Sequence, residues 1–251
     1  MFYFLIAPIL MYNWILIAAA VIPAIFLMIK VYRSDRLEPE NPAFLRRLVV
    51  SGILSTLIAM VIERVGSAIL AASVPAGSRL YNVILYFGIV AFAEEGAKYL
   101  LMKRQTWNSP EFNCQYDAVV YAVFVSLGFA LWENISYVTH YGFGTAVVRA
   151  LTAIPGHTCF GVFMGTFYGL ARGYAYIGEN GMSKTFKVLA VIVPALIHGA
   201  YDYIASMQET NGAFAFLGFI FILFTASVVM VNNLSKNDKY FNMDRQNFNF
   251  R

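Results

Sequence analysis

Apolar residues run through this chain in long unbroken stretches, not in alternation with polar ones. Seven stretches are long enough to cross a bilayer as helices, at about residues 2–30, 48–71, 81–102, 117–138, 154–177, 186–206 and 213–232, since a span needs about 20 residues. A shorter run, Thr145–Ile154, leads into the fifth. Continuous runs exclude the period-two pattern of a closed barrel. The pattern predicts an all-α, polytopic membrane helix bundle, one unit over residues 1–232 with a polar cytoplasmic tail at 233–251, Asn-rich and expected to be mobile. The first stretch has no basic segment ahead of it and is too long for a signal peptide. It reads as a retained span, bent or broken near Pro8 or Pro23.

The basic residues between the stretches alternate in number. Five (Lys30, Arg33, Arg36, Arg46, Arg47) lie between the first two spans, then Lys103 and Arg104, then Arg172, Lys184 and Lys187, and the tail holds Lys236, Lys239, Arg245 and Arg251. The opposite connections hold Arg79 and Arg149. Fourteen against two predicts seven spans with the N-terminus outside and the C-terminus in the cytoplasm. Composition agrees: 59% of residues are hydrophobic and 13% charged, about half the charge of a soluble domain. The net charge of +4 follows from this bias, so the basic residues call for no nucleic-acid partner. Cys114 falls in a predicted cytoplasmic loop and Cys159 inside a helix, which argues against a disulfide between them.

Ionisable residues inside the apolar stretches carry the chemistry. Each costs roughly 2.5–3.5 kcal/mol at the bilayer centre even on lenient scales, so such residues usually meet one another or a wet cavity. Glu94 and Glu95 stand side by side with Lys98 three and four residues on, close enough in angle to face one cavity. A single acid with Lys98 would read as a structural ion pair, but one lysine cannot neutralise two acids. Glu133, His157, and His198 with Asp202 lie in three further spans, and the last two share a helix face. Alone, each has an ordinary reading as an interhelical hydrogen bond or an interfacial group. Together, six such groups on four helices point to a site. Counting about 1.5 Å per residue from the helix ends puts His157, Glu133 and Asp202 near the outer ends and the cluster in the outer half of the bilayer. Glu63 and Arg64 are the contrast, read as interhelical contacts or snorkelling ends.

Carboxylates with imidazoles in a water-accessible pocket suit water activation: one glutamate takes the proton, a histidine stabilises the oxyanion, and Asp202 orients His198. A zinc site is equally drawable, with His157, His198, Asp202 and Glu133 as ligands and a remaining glutamate as base. The H-E-x-x-H signature is absent. Two other classes compete. A proton-coupled transporter or channel also uses membrane-embedded Glu, His and Asp, although no inverted repeat is evident. A non-catalytic scaffold could use the small-residue surface Gly161–Gly165–Gly169 to pack a partner helix, as internal packing also could.

The residues resemble the PrsW family of intramembrane proteases, distant relatives of the CAAX prenyl endopeptidases and the APH-1 subunit of γ-secretase. YRSDRLEPENP (Tyr32–Pro42) is similar to that family's Tyr-x-x-Asp-x-x-Glu-Pro-Glu-Pro stretch, with Asn41 inserted. EEGAK (Glu94–Lys98), FALWE (Phe129–Glu133), His157 and HGAYD (His198–Asp202) match E-E-x-x-K, F-x-x-x-E, the lone histidine and H-x-x-x-D in order. The resemblance implies an endopeptidase in a bacterial cell membrane, cutting a membrane-spanning substrate on the extracytoplasmic side. In the family that substrate is a single-pass anti-sigma factor of a stress-response cascade. Glu94, Glu95 and His198 would be catalytic, with Lys98, Glu133, His157 and Asp202 supporting. Members have been labelled metalloproteases, while the relatives imply a metal-free glutamate route. Zinc is thus a possible cofactor; the metal-free route is preferred slightly, because adjacent glutamates on one helix cannot both easily ligate one ion.

Overall fold

A computed structural model describes the backbone of residues 2–207 and 210–241, and the side chains of residues 14–207 and 212–241. Among these residues nine α-helices follow in order: α1 (Phe2–Arg33), α2 (Pro42–Ser73), α3 (Arg79–Val83), α4 (Ala91–Thr106), α5 (Gln115–Tyr141), α6 (Phe143–Leu151), α7 (Ala153–Tyr176), α8 (Asn180–Ala205) and α9 (Thr210–Asn237). A π-helical segment, Ile84–Val90, joins α3 to α4. Counting α3–α4 and α6–α7 as single spans, seven helices among the described residues are long and apolar enough to cross a membrane. The fold is the expected all-α, multi-pass bundle.

Boundaries follow local chemistry. Pro42 opens α2, where its missing N–H costs nothing, and Asn41 caps the helix by accepting from the Ala43 amide at 2.8 Å. α1 continues without interruption through Pro23 rather than breaking there. Gly142, at φ +82°, turns α5 directly into α6, a backbone conformation that a side chain would strain. That turn folds Arg149 of α6 back toward α5.

α5 is the axis. Every residue from Tyr116 to Ala130 is buried, as befits a helix apolar on all sides. In lipid, helices associate through close packing, which small residues permit. A methyl on Gly52 of α2 would run into the Val125 carbonyl, and one on Gly165 of α7 into the Ala118 carbonyl and the Val119 backbone. These approaches fix α2 and α7 against α5; α4 packs on α2 and α8, and α8 on α7. The expected tail differs. Residues 233–237 continue α9, and Asp238–Phe241 lie against the start of α5: the Tyr116 amide donates to Asp238 Oδ1 at 3.1 Å and the Phe241 amide to the Asn113 carbonyl at 2.8 Å. Polar composition missed these specific backbone partners. Residues 242–251 fall outside the described residues. Cys114 and Cys159 are both free thiols, as expected.

Candidate active site

The π-helical segment sets the site's orientation. Its wider turns change which face of α4 meets the bundle, and such insertions recur at functional sites. Immediately after it, Glu94, Glu95 and Lys98 all point inward. Lys98 Nζ lies 2.7 Å from Glu95 Oε1, 3.2 Å from Glu94 Oε2 and 3.1 Å from His157 Nδ1, and 3.9 Å from the centre of the Phe129 ring. An ammonium only donates, so His157 Nδ1 accepts. The ring then carries its proton on Nε2 and donates to Glu133 Oε2 at 2.9 Å. Glu133 also meets Arg149 Nη2 at 2.9 Å, and Arg149 is braced by Asn134 Oδ1 at 3.0 Å and by the Tyr137 ring.

On α8, His198 donates from Nδ1 to Glu95 Oε1 at 3.0 Å, and its Nε2 faces Asp202 Oδ2 at 3.4 Å. Phe160 stacks on the His198 ring at 4.5 Å between centroids, which holds the ring plane. The structure therefore joins all seven predicted residues in one network spanning α4, α5, α7 and α8.

They do not all face the same space. A cavity of about 400 Å³ opens beside the network, and Glu94, Glu133, His157, His198 and Asp202 line it, whereas Glu95 and Lys98 do not. Glu95 and Lys98 are fully buried behind Glu94, and among the described residues Glu95 Oε2 has no hydrogen-bond partner. The site thus has a cavity-facing layer and a buried scaffold beneath it.

Two further lining residues escaped the sequence reading. Arg149 counted as a loop charge, yet it lies in the cavity paired with Glu133. Its place on the short run before the fifth span was the available signal. Glu63 was set aside with its neighbour Arg64, yet it lines the α2 wall, while Arg64 is exposed and does not.

Among the described residues, the acid and histidine groups whose ligand atoms gather within 4.8 Å are Glu94/Glu95/His157 and Cys114/Asp117/Asp238. The first shares only His157 with the ligand set read from sequence. The Lys98 ammonium already touches all three of its members, so a divalent ion does not fit there without displacing it. The second lies at the far end of α5, where the Asp117 and Asp238 oxygens accept from the amides of Asn113, Cys114 and Tyr116.

The sequence model of the PrsW family of intramembrane metalloproteases matches residues 40–231. The chain belongs to this family. It is 30% identical over 224 residues to Protease PrsW of Halalkalibacterium halodurans, covering 89% of this chain and 99% of that one. Protease PrsW of Bacillus subtilis is 32% identical over 189 residues (75% and 82%), and that of Clostridioides difficile 26% over 235 residues (91% and 92%). No solved structure matches. The chain is accordingly an intramembrane protease and a multi-pass protein of the cell membrane, and its substrate is a membrane protein.

Proposed function

We propose that Glu94 is the general base of peptide hydrolysis and that Glu95 and Lys98 position it. The reading rests on one observation: of the adjacent glutamates, only Glu94 lines the cavity. Glu94 takes a proton from water, the water oxygen bonds to the scissile carbonyl carbon, and the C–N bond breaks as Glu94 returns that proton to the leaving nitrogen. His198, held by Glu95 on one nitrogen and facing Asp202 with the other, stabilises the oxyanion. Arg149 holds Glu133 and, through it, the tautomer of His157. Lys98 supplies the buried positive charge that a metal ion would otherwise bring, so the reaction follows the glutamate route without zinc. The substrate of this reading, supported by the family resemblance, is a single-pass anti-sigma factor cut on the extracytoplasmic side.

The test is cleavage of a single-pass reporter helix by the full chain in liposomes. Glu94→Gln and His198→Ala should each lower turnover by about 10²–10⁴-fold, and a zinc chelator should leave the wild-type rate unchanged. Wild-type turnover in Glu94→Gln would sink the assignment of the base. Loss with chelator and recovery with zinc would overturn the metal-free route. Proton flux through empty liposomes that depends on Glu94 would favour a transporter instead.

A further inference from the structure

Among the described residues, the charges of the cavity wall are matched with one exception. Glu94 meets Lys98, Glu133 meets Arg149 and His157, and Asp202 meets His198. Glu63 lines the same cavity, and among the described residues its carboxylate feels the charges of Glu133, Lys98, His198 and Asp202 but has no direct ion pair or hydrogen bond. An acid in an apolar span is costly unless something answers it. Thr56, Met60 and Glu63 lie at helical spacing on one face of α2, so that face is turned to the cavity and the carboxylate comes with it.

Its depth follows from the packing of α2. Gly52 meets the backbone of Val125 and Phe129, and Gly128 that of Val49, so the two helices run alongside with a known register. The register against α4 gives its height relative to the base: Gln105 donates to Ser51 Oγ, Ala59 packs with Ala93 and Ala97, and Gly66 meets Ile89, so antiparallel α2 brings Glu63 level with Phe92 and Ala93, within about 3 Å of Glu94 along the helix axis. Glu63 therefore stands on the α2 wall at the height of the proposed base.

We propose that Glu63 is a specificity-determining residue that receives a lysine or arginine side chain of the substrate. The inference rests on the protease reading above. An extended peptide advances about 3.3 Å per residue. A carboxylate within about one such step of the base thus corresponds to a basic residue next to the scissile bond. Such a cation would match the Glu63 charge as substrate enters, and the apolar surroundings strengthen the pairing.

The test uses single-pass reporter helices that differ in one residue, with the cut located by mass spectrometry. The residue next to the cut is Lys, Gln or Glu, and a further set moves Lys two to six positions away. Wild type should cleave the Lys reporter about tenfold faster than the Glu reporter in kcat/KM, mainly through KM, with the advantage largest next to the cut. Glu63→Gln should flatten that ratio, and Glu63→Lys should reverse it. The reversal is a readout that a structural role for Glu63 would not give. Equal ratios in wild type and Glu63→Lys, or a loss in Glu63→Gln that falls equally on all reporters in kcat, would overturn the inference while leaving the protease reading intact. A wild type that cuts no reporter would overturn both.

Discussion

Acids gather at two ends of this bundle, and they are held differently. Glu94, Glu95, Glu133 and Asp202 meet Lys98, Arg149, His157 and His198, basic side chains drawn in part from other helices. At the other end, Asp35, Glu38, Glu40, Asp117 and Asp238 make no ion pair among the described residues. They accept instead from backbone amides (Asp35 from Leu37, Asp117 from Asn113 and Cys114, Asp238 from Tyr116), from the Asn113 side chain, and from the hydroxyls of Tyr121 and Tyr240. The first arrangement joins titratable groups to one another beside a cavity, which is what proton transfer needs. The second ties loops and helix ends together. Counting acids would rank the two ends alike; their partners separate them.

The strongest way to break the contrast is to remove Lys98, whose ammonium meets both glutamates. Lys98→Met leaves two buried carboxylates with His198 as their remaining basic partner among the described residues, and loss of one partner of a buried pair costs about 3–5 kcal/mol. Thermal unfolding of the solubilised protein should show that loss, and Glu95→Gln added to Lys98→Met should recover part of it. A Lys98→Met protein as stable as wild type would mean that the network does not hold the helices together.

Much of this was legible from the sequence, for a physical reason. A bilayer penalises ionisable residues so strongly that Glu94, Glu95, Lys98, Glu133, His157, His198 and Asp202 were visible as exceptions to their spans. The same penalty made the spans themselves plain. Glu63 was missed because Arg64 beside it offered an apparent partner, although neighbours on a helix point about 100° apart. Arg149 was missed because a charge near a span's end looks like a topology signal. The π-helical segment left no trace, since a stretch apolar on every side has no period to disturb. Nor could sequence tell which of two adjacent glutamates faces a cavity, which depends on how α4 is turned against α5 and α8.

At the opposite end, a smaller effect is expected. Asp117 accepts two amides at the start of α5, at 3.0 and 2.7 Å. Asp117→Ala should lower stability by about 1–2 kcal/mol, the usual worth of a helix cap, with reporter cleavage per folded molecule unchanged within about twofold. A large loss of turnover with stability intact would erase the distinction between the two ends.

The smallest predicted effect isolates one loop acid. Glu40 precedes α2, is buried, and accepts from the Tyr121 hydroxyl at 2.7 Å. Burial pushes its carboxyl up to about 8, opposed by the Tyr121 hydrogen bond and reinforced by the nearby charges of Glu111, Asp35 and Glu38. A carboxyl raised in the folded state binds its proton more tightly there than when unfolded. Its contribution is therefore fully present below the unfolded value, near 4.5, and is lost as pH rises toward 8. Wild type should lose stability between pH 5 and pH 8 through this group. Glu40→Gln keeps an oxygen for Tyr121 but cannot ionise, so its melting temperature should fall less over the same range. Parallel pH profiles for the two proteins would show that Glu40 is not the group whose ionisation loosens the loop end. A slope shared by both proteins would point to the other buried acids of this end, among them Asp238, which burial raises to about 6.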